Sequence, residues 1–247
     1  MKRIISLIMI LVMSISLAAC GEKESKAPET EAAAGLFDDI AGVYDELFPI
    51  MLDEAYDQVW EDACKEYAGE QYYQMALEFL RTAYAGDVYG EEALALYKQD
   101  PQQAKYDTHF IEGVRQITFR GNTISAVDAN GKSVFKHEYR SAGEASIYEV
   151  PLSIYVTDDE DAGTFKYFCV FNEAVMLPVD AGTTDDDRLQ CHVEFRHAAS
   201  EEELLDPETG EHAYWIASGV LVDTGRDRAA VEELIRDYCR FNLTPQE

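Results

Sequence analysis

The hydrophobic positions change period twice along the chain, dividing it into a helical first third, a strand-rich middle and a closing helix. Leu36, Phe37, Ile40, Val43, Tyr44 and Leu47 recur at the spacing of one helix face until Pro49 interrupts them. Leu52, Ala55, Tyr56, Val59, Trp60 and Ala63 make a second stripe. Tyr72, Met75, Ala76, Phe79, Leu80 and Ala83 make a third, which stops at Gly86. Apolar stripes of this width bury against other elements, so all three read as core-facing helices. From about Ile111 the period falls to two. Gln116–Phe119, Thr123–Val127 and Val134–Tyr139 read as short strands joined by the turn signals Arg120-Gly121-Asn122 and Asp128-Ala129-Asn130-Gly131. Ile147–Val156 and Thr164–Phe171 read as longer strands around the acidic loop Asp158–Asp161. Ala174–Leu177 and Leu189–Arg196 follow, separated by a loop containing Asp185-Asp186-Asp187. Arg228–Arg240 closes the chain as a helix with Val231, Leu234, Ile235 and Tyr238 on its apolar face. Hairpins at this spacing favour an antiparallel meander or barrel over a parallel sheet, so the expected class is α+β.

Charge removes whole classes of function. The 247 residues carry 48 Asp+Glu against 20 Lys+Arg, a formal charge of -28. Neutralising phosphates needs a basic face, so no nucleic-acid partner is expected. A polybasic grip on anionic lipid is excluded on the same ground. With 47% hydrophobic and 11% aromatic residues, the chain has the material for a packed core.

The N-terminus points outside the cytoplasm. Lys2 and Arg3 precede the apolar run Ile4–Leu17, and Leu17-Ala18-Ala19-Cys20 resembles a bacterial lipoprotein cleavage site. The resemblance implies a signal peptide over residues 1–19, cleavage before Cys20 and lipid attachment to its thiol. Losing Lys2 and Arg3 takes the formal charge from -28 to -30. Residues 20–34 are small and charged without apolar periodicity, which suits a flexible tether, and residues 35–247 form the folded domain. The expected location is extracytoplasmic, anchored to the membrane through the lipid. Disulfides are permitted there, and Cys64, Cys169, Cys191 and Cys239 allow three pairings.

Across Leu36–Arg240 the chain resembles the ZinT (YodA) family of extracytoplasmic zinc- and cadmium-binding proteins. Ile40-Ala41-Gly42-Val43-Tyr44-Asp45-Glu46-Leu47-Phe48-Pro49 is similar to the family's opening segment, and Tyr84-Ala85-Gly86-Asp87 to its Tyr-Ala-Thr-Asp. Lys166-Tyr167-Phe168-Cys169-Val170-Phe171, with the run to Pro178, resembles its Lys-Tyr-x-x-Phe…Pro strand pair. Phe195 and Leu204-Leu205 follow the spacing after its His-x-His-x-Phe strand. The resemblance implies a calycin- or lipocalin-like antiparallel β-barrel with N-terminal helices and a C-terminal helix. It also implies a non-enzymatic role: zinc or another divalent metal bound or buffered for a metal-uptake transporter.

The family's three histidine ligands fall, without gaps, on Ala174, Cys191 and Val193, two of which have no donor atom. In that register the site is degenerate, because zinc needs three or four N, S or O ligands. A register shifted by one residue, with a one-residue deletion before Leu204, places His192-Val193-Glu194 over His-x-His and Glu173 over the earlier histidine. Alternate strand residues share a face, so His192 and Glu194 would converge on one ion, with Cys191 or His197 as a further donor. An imidazole titrating near 6.5 would then release the metal on acidification through that range. The plainer alternative leaves His192 and Glu194 on a solvated face, paired with Arg196. A functional alternative is a calycin-like lipoprotein that has lost metal and binds a small molecule or partner protein. No G-x-S-x-G, H-E-x-x-H or Gly-rich phosphate loop occurs, and the acidic loops lack EF-hand spacing.

Overall fold

In the computed structural model, residues 35–83, 107–172, 176–178, 188–190, 192–209, 212 and 215–244 are described. A 3-10 turn at Asp38–Ile40 leads into strand β1 (Gly42–Glu46) and helices α1 (Leu47–Met51), α2 (Asp57–Ala68) and α3 (Tyr73–Ala83). Five strands then run in succession: β2 (Gln116–Arg120), β3 (Thr123–Val127), β4 (Ser133–Glu138), β5 (Arg140–Ile147) and β6 (Val150–Val156). They are followed by β7 (Tyr167–Phe171), the short pair β8 (Met176–Pro178) and β9 (Arg188–Gln190), and β10 (His192–Ala198). Helix α4 (Glu201–Leu205), β11 (Ala217–Leu221), α5 (Val222–Arg226) and α6 (Arg228–Leu243) complete the chain.

Nine strands form one antiparallel sheet in the order β4-β3-β2-β1-β11-β10-β7-β6-β5. Its two edge strands are neighbours in sequence, joined through Tyr139 alone, so the sheet must curl until its edges approach. Ring contacts confirm the curl. Phe135 on β4 stacks 4.0 Å from Phe165 and lies 5.9 Å from Phe168 on β7, although β4 and β7 stand far apart in the strand order. The Tyr139 hydroxyl donates to the Phe165 carbonyl at 2.6 Å, pinning the seam. This is the α+β, calycin-like architecture that the hairpin spacing and the resemblance implied.

Buried apolar residues form three clusters about the sheet, the smallest around Leu152, Cys169 and Leu204. Inside the curl, Phe37, Tyr44, Phe119, Phe168, Phe195 and Trp215 pack as one cluster. Outside, Trp60 of α2, Met51 of α1, Leu234 and Ile235 of α6 and Val220 of β11 form a second. Asp227 caps α6 by accepting from the Ala229 and Ala230 amides at 2.9 and 3.3 Å. Gly69, at φ 80°, ends α2.

Several elements differ from the periodic reading. The stripe Leu36–Leu47 is no helix; its middle is β1, paired with both β2 and β11 at the centre of the sheet. Val43 and Tyr44 favour strands, and two hydrogen-bonded neighbours outweigh a helical spacing of apolar residues. Strand β11, absent from the periodic reading, has Gly219 where a Cβ would stand 3.2 Å from Phe110 and from Tyr44. The third stripe splits: Ala76 and Leu80 are buried, whereas Tyr72, Met75 and Phe79 are exposed.

The strand expected over Ile147–Val156 turns back at Tyr148–Glu149. Both residues have positive φ, 53° and 69°, and Ile147 pairs with Val150, which defines a two-residue type I′ hairpin. Neither is a residue that tolerates the left-handed region cheaply. Replacing Tyr148-Glu149 by Asn-Gly is therefore expected to stabilise the protein by about 1 kcal/mol. A urea midpoint that fails to rise would show that other Tyr148 or Glu149 contacts outweigh the strain.

Candidate functional site

Strand β10 lies between β7 and β11, with His192 opposite Val220, Glu194 opposite Ser218 and Arg196 opposite Cys169. The pleat sends Val193, Phe195 and His197 into the barrel and His192, Glu194 and Arg196 to the outer face. On that face His192 Nε2 stands 3.5 Å from Glu194 Oε1. The imidazole is buried and the carboxylate about one-third exposed, with side-chain exposures of 6% and 37%. Burial alone pushes the His192 pKa down to about 4, so the ring is neutral at neutral pH. Neutral imidazole is the form that coordinates metal.

His197 does not join this pair. Strand β10 continues to Ala198, so the alternation carries His197 inward. Its Nδ1 lies 3.1 Å from the Thr164 carbonyl, to which it donates. Its ring sits 4.6 Å from Phe165, 5.3 Å from Phe168 and 4.9 Å from Trp215. Burial drives its pKa down to about 3, the Thr164 bond opposing only in part. Val193, fully buried, also lines the interior. Glu173, Ala174, Cys191 and Cys20 lie outside the described residues, as does the Tyr84–Asp87 motif. Among the described residues no three His, Cys, Asp or Glu side chains converge on one point.

Arg196 does not occupy the solvated position expected beside Glu194. It is buried, and its guanidinium donates to the Trp215 carbonyl at 2.7 Å and the Asp206 carbonyl at 3.3 Å. Burial lowers its pKa. Trp215 in turn donates from Nε1 to the His109 carbonyl at 2.7 Å, and Ile216 N–H to the Asp107 carbonyl at 2.8 Å. Buried Asp107 accepts from the His109 amide at 3.0 Å. This polar seam had no periodic or motif signal, because 107–109 is a short segment held by tertiary pairing alone.

The acidic loop is tied to neighbouring strands. Asp159 meets His137 at 2.7 Å and Asp158 meets Arg140 at 3.3 Å. Inside the barrel, the gap lined by Phe110, Phe135, Phe165, Phe168, Phe195 and His197 is too small for a water molecule.

No protein-family model and no curated protein matches the chain. Among solved structures, it aligns with the Zn(II)-bound ZinT-like domain of AdcA from Streptococcus pneumoniae. That alignment has a TM-score of 0.48 and 16% identity, covering 86% of this chain and 94% of that domain. It also aligns with Zn(II)-bound AdcA from the same organism at TM-score 0.47 and 17% identity, covering 87% of this chain and 40% of the longer one.

Proposed function

We propose that this protein is a non-catalytic, divalent-metal-binding lipoprotein of ZinT type, tethered outside the cytoplasm through Cys20. It buffers zinc, or hands it to an uptake transporter. The observation that carries the reading is the neutral, buried imidazole of His192 set 3.5 Å from the Glu194 carboxylate on one face of β10. An imidazole and a carboxylate are two of the donors zinc takes, and Glu173 and Cys191 are the candidates to complete the set. The ordered resemblance from Ile40–Pro49 through Phe195 supports the same reading. With one imidazole in place of three, affinity is expected below that of a three-histidine site.

Calorimetric titration of the mature protein with zinc tests this. One ion should bind, His192→Ala should abolish binding, Glu194→Gln should weaken it and His109→Ala should leave it intact. Because the His192 pKa is near 4 rather than 6.5, affinity should hold from pH 7.5 to about 5 where Glu173 completes the set, whereas a Cys191 ligand, which must lose a proton to bind, would make it fall across that range. A wild type that binds no zinc, or binds it tightly after His192→Ala, would overturn the assignment.

A further inference from the structure

Cys64 on α2 and Cys239 on α6 are both fully buried, and their Sγ atoms stand 3.9 Å apart across 175 residues of sequence. The two helices pack over the outer core, where Trp60 and Tyr238 meet edge-on at 5.9 Å and Arg236 reaches Glu66 at 4.0 Å. Of the other thiols, Cys169 sits on β7 opposite Arg196, beneath α4 in a third apolar cluster. Its pKa is pushed up to about 12 by burial, so it is unreactive.

We propose that Cys64 and Cys239 form a disulfide that staples α2 to α6, the first third of the fold to its last helix. The proposal is independent of the metal reading. Two thiols in contact inside an apolar cluster also pack as small hydrophobes, and the distinction is chemical. The two sulfurs share one S–H···S contact in which either thiol can donate, so either can be the first nucleophile. While the chain folds, before α2 and α6 close over the sulfurs, the thiolate of one cysteine attacks one sulfur of an oxidising disulfide, such as glutathione disulfide or a disulfide oxidoreductase. A mixed disulfide forms and one thiolate leaves. The other cysteine, giving its proton to that departing thiolate, then attacks the Sγ of the first and expels the second thiolate, which takes a proton from solvent. The protein loses two electrons and two protons overall, and the oxidant becomes two thiols.

The bond is read by acid-quenched alkylation of the full chain in a chelator, after equilibration in a glutathione/glutathione disulfide buffer and unfolding. The chelator removes any zinc that would shield thiols, so failure of the metal reading leaves this result unaffected. Cys64 and Cys239 should resist alkylation and appear as one linked peptide pair, while Cys169 alkylates. Free Cys64 and Cys239, or a link from either to another cysteine, would overturn the proposal. Closing so long a loop should also raise the melting temperature by roughly 5–15 °C. Refolding under reductant should remove that increment from the wild type and change nothing in Cys64→Ser/Cys239→Ser. Equal melting of oxidised and reduced wild type would count against the staple.

Discussion

Acidification from pH 6.5 to about pH 4 is expected to cost the folded state on the order of 3 kcal/mol through His197 alone, with a comparable loss through His192. Both imidazoles titrate near 6.5 when unfolded, and burial lowers them to about 3 and about 4 in the fold. The unfolded chain therefore takes up protons below pH 6.5 that the folded chain refuses. The stability contributed by the neutral rings is complete above 6.5, declines as pH falls and levels off below about 3. The chain also carries 48 carboxylates, whose protonation relieves repulsion near their own pKa values and works in the opposite direction. A variant isolates the histidine contribution from that background. His197→Phe keeps a ring among Phe165, Phe168 and Trp215 but removes the titrating nitrogen and the bond to Thr164. Losing that bond should cost about 1 kcal/mol at pH 7.5. Between pH 7.5 and 4.5 the wild type should then lose 2–3 kcal/mol more than the variant, roughly 1.4 per pH unit below 6.5. Parallel urea-unfolding free energies for the two proteins across that range would mean that His197 is hydrated or protonated in the fold.

What the chain reveals without its structure follows the number of faces each element buries. Strands β2 and β3 alternate buried and partly exposed residues, and their hairpins are readable from Gly121-Asn122 and Asn130-Gly131. Helix α6 presents Val231, Leu234, Ile235 and Cys239 to one core and charges to water, so it too is plain. Strand β11 buries Ala217 through Val220 on both faces, which erases alternation, and Gly219 lowers its apparent strand character. Strand β5 is polar and exposed along most of its length, so its pairing with β6 leaves no hydrophobic trace. The site divides in the same way. That His192 and Glu194 share a face follows from the two-residue period, and they meet. The two-residue period alone ends this strand at Arg196, which leaves the direction of His197 open. Strand β10 runs two residues further, to Ala198, and its pleat turns His197 into the barrel. Arg196 is hidden for a different reason: its partners are backbone carbonyls, which no side-chain pattern announces.

Deleting the chain after Gly225 is expected to unfold the domain. Helix α6 buries Val231, Leu234, Ile235 and Cys239, each at 2% exposure or less. Burying the three branched aliphatics contributes roughly 1.5–3 kcal/mol apiece, so the sum approaches the entire 5–15 kcal/mol stability of a typical domain. The loss extends beyond the helix, because Trp60, Phe48, Met51 and Val220 belong to the same cluster and would lose their cover. The Trp60 indole would keep its bond to the Met51 carbonyl, 2.8 Å, but in contact with water. A milder variant separates loss of the helix from loss of one contact. Ile235→Ala should cost 2–5 kcal/mol, lowering the melting temperature by roughly 5–15 °C while the transition stays cooperative. The truncated chain should show no cooperative melt by circular dichroism. A truncated protein melting within a few degrees of the intact one would mean that the barrel is stable without its helical layer, and that α6 is an accessory laid on a finished fold.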